Sequence, residues 1–456
     1  MPPSGQVDKA SPTAWRSPNA KHQRRIELMV LIGCGLLMVA GSGWALMFAM
    51  KGLWVAVPME LWLVATGAVG VVLARRQKAF EAGLLLMGTL FLTLIGICLF
   101  LDVPSAQVGR SSHHLMPALA ACAFLFLRGQ HPWLRHGVTG AFMAAYVLLD
   151  VTSFGLSTAY VQPDDVRALN AWGNNLFAMI TLYMALVVMQ ADVTARNALE
   201  ADFRTALIEG QFVLHYQPQV DTQGQVIGAE ALVRWKHPRH GMVPPGDFIP
   251  MAEQTGLILP LGDWVLKQAC MQLSIWAKDP RTQALQLAVN VSARQFRQPD
   301  FVAQVSSIVE RCGVDPQRLK IELTESMLVN DIEDIIAKMT ALQSSGVQLS
   351  LDDFGTGFSS LSYLKRLPLN QLKIDQAFVR DLQTNANDAA IASTVVSLGQ
   401  NLGLDVIAEG VETEGQRDFL GSIGCLRYQG FLFSRPMPAA DFDAYMDGKD
   451  SPTTSG

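Results

Sequence analysis

A chain of 456 residues that is half hydrophobic, only 16% charged and has a net charge of −5 has room for more than one domain and is a poor non-specific nucleic-acid binder. Its charge is uneven: residues 1–200 carry 14 Lys/Arg against 10 Asp/Glu, and the remainder carries 21 against 30. The six cysteines are scattered without metal-site spacing, so they read as small buried hydrophobes and exclude a disulfide framework.

In chain order, residues 1–25 are polar, Pro/Ser-containing and basic at their end, which predicts a disordered cytoplasmic tail without a cleavable signal. Ile26–Met50, Leu53–Ala74, Ala82–Leu101, Val138–Leu156 and Asn174–Gln190 are apolar runs of about the length that crosses a bilayer. Leu115–Leu127 is shorter and contains Pro117. Basic residues cluster before the first run (Lys21, Arg24, Arg25), between the second and third (Arg75, Arg76, Lys78), between the fourth and fifth (Arg128, Arg135) and after the last (Arg196, Arg204). That alternation predicts six spans over residues 26–190 with both ends cytoplasmic, in an inner membrane. Glu60 and Asp150 are acids within this region and stand as candidate ligand or proton sites. His113 and His114 lie near an outer edge. Adjacent helical side chains diverge by about 100°, so the spacing predicts one ligand there at most.

Residues 191–210 continue as a helical connector. Leu199, Phe203 and Leu207 recur every four residues, either as a face packed on its own domain or as a two-stranded signalling connector. From residue 211 to 446 the pattern becomes strand–helix alternation, and residues 447–456 form a polar tail. Strands are predicted at Phe212–Val220, Val226–Trp235, Leu285–Val291, Leu319–Glu325, Val347–Asp353, Gln371–Ile374, Asp405–Glu409 and Cys425–Phe431. The first two share a short hairpin connection, and the others need helical crossovers. The fold expected is an α-helical membrane domain followed by an α/β, TIM-like (β/α)8 barrel with one antiparallel strand.

Polar residues interrupt these apolar strands near their C-terminal ends: Glu230, Asn290, Glu322, Asp352, Asp353, Lys373, Glu409 and Gln429. In a barrel that end carries the active site. Five carboxylates on one rim repel strongly, one lysine cannot offset them, and an all-oxygen set favours two hard cations, Mg²⁺ or Mn²⁺. Two such ions suit phosphodiester hydrolysis. Asp352 could bridge them. Lys373 could orient or deprotonate the water or stabilise phosphate charge, and the sequence does not separate these roles.

The strings "EALVRW" at Glu230, "NVS" at Asn290, "ELTE" at Glu322, "DDFGTGFSSL" at Asp352, "LKID" at Leu372, "AEGVE" at Ala408 and "YQGF" at Tyr428 resemble the EAL-domain family of cyclic di-GMP phosphodiesterases. The resemblance implies one metal on Glu230, Asn290, Glu322 and Asp352 and a second on Asp352, Asp353 and Glu409, with Lys373 acting on the water. It further implies Arg234 on a substrate phosphate, and Gln217, Leu232 and Gln429 lining the nucleotide site. Glu325 and Glu412 would support the loop after Asp353, and the barrels would pair as a homodimer through the helix beginning near Leu361. The implied reaction is cyclic di-GMP to linear pGpG, with Glu230, Asp352, Asp353 and Lys373 as its catalytic residues. A non-catalytic cyclic di-GMP receptor and a transporter with a regulatory barrel are the other readings. No GGDEF-type string occurs in the sequence, so synthesis of the dinucleotide is not expected.

Overall fold

The structure, a computed structural model, describes residues 18–105, 108–128, 130–156, 161–325, 327, 331–355 and 364–448. Contacts divide the chain into two compact units that meet between Ala198 and Leu199.

The N-terminal unit is helical: α1 (Pro18–Met50), α2 (Val57–Arg75), α3 (Ala79–Gly96, continued by a π turn Ile97–Leu101), α4 (Leu115–Phe126, opened by the 3-10 turn Ser112–His114) and α5 (Pro132–Val151). Helix α6 runs from Asp164 to Glu209, and its residues to Ala198 belong to this unit. Helix α1 starts at Pro18, inside the segment expected to be a tail, and α6 runs unbroken through residues 191–209, where a helical connector was expected to continue the last apolar run.

Among the described residues, four segments are long and apolar enough to cross a bilayer: Glu27–Met50, Val57–Arg75, Ala79–Leu101 and Asp164–Ala191. They expose large apolar side chains such as Val39, Trp62, Leu92 and Tyr183. The other two expected spans do not reach that standard. Ser112–Phe126 is short, and α5 carries Arg135, His136 and Asp150. Helices α1 and α2 approach closely at Gly67, where a Cβ would lie 2.6 Å from Met38 Cγ and 2.8 Å from the Cys34 carbonyl oxygen. Only a hydrogen fits between these backbones.

The second unit is built on strands β1 (Phe212–Asp221), β2 (Val226–His237), β3 (Gly241–Val243), β4 (Gln286–Asn290), β5 (Leu319–Thr324), β6 (Gln348–Phe354), β7 (Gln371–Ile374), β8 (Asp405–Ala408) and β9 (Arg427–Tyr428). The order β1-β9-β8-β7-β6-β5-β4-β2 closes by β1–β2 pairing into an eight-stranded barrel, with β3 added on β2. Strand β1 runs antiparallel to both its neighbours, and pairs from β2–β4 round to β8–β9 are parallel. Parallel strands covered on both faces read as near-continuous apolar runs, and Leu287, Val289, Ile321, Leu323, Leu349, Leu351, Leu372 and Ile374 are accordingly buried.

Most expected strands agree with the observed ones within a residue or two. The last is shorter, because the backbone at Gly430 turns hard against Val411; a Cβ there would meet the Val411 carbonyl oxygen at 2.1 Å. The edge strand β3, three residues long, was not anticipated. The Leu199–Phe203–Leu207 stripe packs on its own unit: Phe203 is fully buried, with its ring 4.9 Å from Phe212 and 5.5 Å from Trp235.

Candidate active site

The parallel pairing brings the sequence-selected polar residues to one end of the barrel. Asn290, the last residue of β4, lies beside Glu322 of β5, and Asp352 of β6 lies beside Thr324 at the end of β5. Glu409 and Gln429 each follow the last residue of their strand, β8 and β9. On β1, Gln217 sits opposite Glu230 of β2. The ladder between β6 and β7 is broken between Leu351 and Phe354, and Asp353 takes a left-handed backbone, φ 56°. A bulge with a non-glycine residue in that region stores backbone strain and re-aims the side chains of the paired aspartates.

Lys373 sits at the centre and is 1% exposed. Its Nζ is 2.5 Å from Glu409 Oε1, 2.6 Å from Glu322 Oε2, 3.4 Å from Asp352 Oδ1 and 3.8 Å from Glu230 Oε2. Amides complete the wall. Asn290 Nδ2 donates to Glu230 Oε1 at 2.5 Å, and Gln429 Nε2 donates to Glu230 Oε2 at 2.5 Å and to Gln217 Oε1 at 3.2 Å.

One ammonium among several acids leaves excess negative charge in a dry place. Burial pushes the Glu322 carboxyl up to about 8, with Lys373 opposing and Glu230 and Asp352 adding to the rise. Burial, then the neighbouring acids Asp352, Glu230 and Glu322, holds Glu409 far above the carboxylate range against the pull of Lys373. Burial, then Asp352 and a hydrogen bond shared with Asp375, pushes Asp353 up to about 7. Burial alone would lower the Lys373 ammonium, yet four surrounding carboxylates keep it well above the ordinary lysine value.

Glu322 Oε1 is buried and has no hydrogen-bond partner among the described residues. An orphaned carboxylate oxygen within an all-oxygen donor set fits a hard divalent cation. Arg234 and Leu232 are half-buried and share a face of β2 with Glu230, whose charge acts on the Arg234 guanidinium. Glu325 Oε2 accepts from the Gly355 N–H at 3.1 Å, at the start of the glycine-rich segment. Residues 356–363 of that segment lie outside the described residues, as does the interface expected near Leu361. Glu412 is exposed, and its described bond is from its backbone N–H to Gln416.

Two participants were not singled out from sequence. Gln219 Nε2 donates to Gln429 Oε1 at 2.9 Å, and Asp375 bonds Asp353. Gln219 stands two residues after Gln217 on the same strand face, a spacing that could have flagged it. Asp375 ends the "LKID" string but only the fold brings it to Asp353.

The family model described as EAL domain matches residues 200–436. The bifunctional diguanylate cyclase/cyclic di-GMP phosphodiesterase MucR of Pseudomonas aeruginosa is 47% identical over 252 residues, 55% of this chain and 37% of that protein. The oxygen sensor protein DosP of Escherichia coli is 40% identical over 292 residues, 64% of this chain and 35% of that protein. The matched part thus spans little more than a third of these relatives. The structure of the MucR phosphodiesterase in complex with c-di-GMP superimposes with a TM-score of 0.52 at 46% identity, covering 54% of this chain and 99% of that one. The cGMP-bound EAL enzyme Bd1971 superimposes with a TM-score of 0.54 at 31% identity, covering 60% and 75%.

Proposed function

The chain belongs to the EAL-domain family, and on that premise we propose that it is a membrane-anchored phosphodiesterase that opens cyclic di-GMP to linear pGpG. The observation that carries this reading is the barrel end itself, with buried Lys373 ringed by Glu230, Glu322, Asp352 and Glu409. Glu230, Asn290, Glu322 and Asp352 would hold one Mg²⁺ or Mn²⁺, and Asp352, Asp353 and Glu409 a second. When bound, the pair supplies Lewis-acid stabilisation of phosphate charge and a water acidic enough to attack at neutral pH.

The chain's own side chains supply the rest. Lys373, gripped by Glu322 and Glu409, is placed to hold or move a proton at the attacking water. Arg234 would hold a non-reacting phosphate oxygen, and Gln217, Leu232 and Gln429 would wall the guanine nucleotide. Attack forms one bond from water oxygen to phosphorus and breaks one bond from phosphorus to a ribose oxygen. That oxygen takes up a proton, and the second diester stays intact. Glu325 and Glu412 would steady the loop after Asp353, and two barrels would pair through the neighbouring helix.

Four apolar helices support membrane anchoring; the membrane would be the inner one, with the barrel cytoplasmic and regulated by the membrane unit. The second reading, a receptor that binds the dinucleotide without cleaving it, is disfavoured because every ligand position keeps an oxygen-donating side chain. Incubation of the purified chain with cyclic di-GMP and Mg²⁺ or Mn²⁺, with products resolved by chromatography, tests the proposal. Formation of pGpG that chelation abolishes is the expected result. Binding without turnover in either metal would select the receptor.

A further inference from the structure

We propose that the N-terminal unit holds a divalent transition-metal ion of the zinc class on His113, His114 and Asp150. One ligand atom from each of these three lies within 4.8 Å of the other two. His113 Nε2 faces Asp150 Oδ1 at 3.1 Å, and the two imidazole centroids are 4.3 Å apart. The sequence spacing argued against two histidines meeting. In the 3-10 turn Ser112–His114 both rings instead lean onto Tyr146, His113 stacking at 5.4 Å and His114 tilting at 6.5 Å.

His114 is also oriented as a ligand is. Its Nδ1 lies 2.7 Å from Asn175 Oδ1, which accepts a hydrogen bond from Nδ1–H and leaves Nε2 with its lone pair. His113 is 2% exposed, and its Nδ1 is buried with no hydrogen-bond partner among the described residues. An imidazole sealed from water and only half satisfied is destabilising. That cost is tolerated where the ring has a further use.

Both sides of the gap are braced by buried charge. Asp102 Oδ2 accepts the N–H groups of Ser111 at 2.9 Å and Ser112 at 2.8 Å, fixing the turn that carries the histidines. Arg110 donates to the carbonyls of Leu149 at 2.6 Å and Phe154 at 2.5 Å, fixing the end of α5 that carries Asp150. Arg167, from α6, locks Asp102 at 3.3 Å. Burying three ions is costly in desolvation, and here all three serve to align one turn with one helix end.

Two imidazoles and a carboxylate suit Zn²⁺, Cu²⁺ or Ni²⁺, not the hard cations that an all-oxygen barrel rim would take. Tetrahedral ligation needs ligand atoms roughly 3.4 Å apart. The half-exposed Asp150 side chain has freedom to close that distance. The assignment is independent of what the barrel does.

The test uses the full chain in detergent with excess Mg²⁺ present, titrated with Zn²⁺ alone and with Co²⁺ alone. About one Zn²⁺ per chain should survive desalting, and Co²⁺ should give the visible absorption of a four- or five-coordinate nitrogen-bound ion. His114→Gln and Asp150→Asn, both partly exposed positions, should weaken binding roughly 10–100-fold with elution unchanged. His113→Ala with His114→Ala should abolish it, and Asp352→Asn in the barrel should leave it intact. A wild-type chain that retains no ion, or the same ion count in wild type and the histidine variants, would overturn the assignment.

Discussion

At the scale of single residues, Lys373 is held by opposing forces. Its burial is unfavourable by itself, and four carboxylates make it favourable. Lys373→Met would leave Glu322 and Glu409 buried without their cation. The metal-free protein should lose about 3–5 kcal/mol in urea unfolding, and excess Mg²⁺ should shrink that loss. Equal stability of the variant and the wild type under chelation would show that the lysine does not pair these acids. Asp352→Asn preserves shape while removing one charge from the crowded rim. Turnover of cyclic di-GMP should fall by roughly 10³-fold, about 4 kcal/mol of transition-state stabilisation, with the far-UV spectrum unchanged. Wild-type kcat in excess Mg²⁺ would remove Asp352 from the bridging role. The residues of this rim were legible because a charged group inside an apolar strand has no cheap structural explanation. Asp375 was not legible, since an aspartate opening a helix already has one: it caps the Ala377 N–H at 2.5 Å.

At the scale of elements, the joint between β5 and β6 is where the loop is tied to the site. Glu325 follows β5 directly, and its carboxylate receives the Gly355 N–H, a glycine with φ 102° that other residues adopt only under strain. Glu325→Ala should lower kcat by roughly 10–100-fold while stability changes by about 1–3 kcal/mol, the cost of one unsatisfied partner. Glu325→Gln, which retains an acceptor oxygen, should recover most of the rate. Loss of stability with kcat unchanged would reduce Glu325 to a structural brace. Helix α6 teaches a related lesson. Its four-residue stripe had two readings, and the fully buried Phe203 ring against Phe212 and Trp235 shows it packed on the barrel unit.

At the scale of the whole molecule, the number of spans sets the sidedness of each connection. Four spans and six spans are both even, so either places the chain before α1 and the chain after α6 on the same side of the bilayer. Reporter fusions after Gly210 and after Val161 should therefore report opposite sides; the same side for both would sink the topology. A third fusion after Arg128 separates the two counts, because six spans put it on the side of Gly210 and four put it on the side of Val161. Under both counts the turn between α2 and α3, with its basic Arg75, Arg76 and Lys78, should fall on the side of Gly210.

The barrel half was readable from the linear sequence because two periodic signals coincide there. Apolar runs set the strands, and each run breaks at a polar residue near the same end. The helical half resisted the same treatment because apolarity reports solvent and not contact. It marked Leu115–Leu127 as short, in keeping with the short helix Ser112–Phe126, but could not say that α5 ends where its aspartate faces a histidine. Strand pairing, the left-handed Asp353 and the convergence of His113 and His114 on Tyr146 depend on residues far apart in the chain. Only packing decides such distances, since a local sequence fixes which face a side chain can take and never what stands across from it.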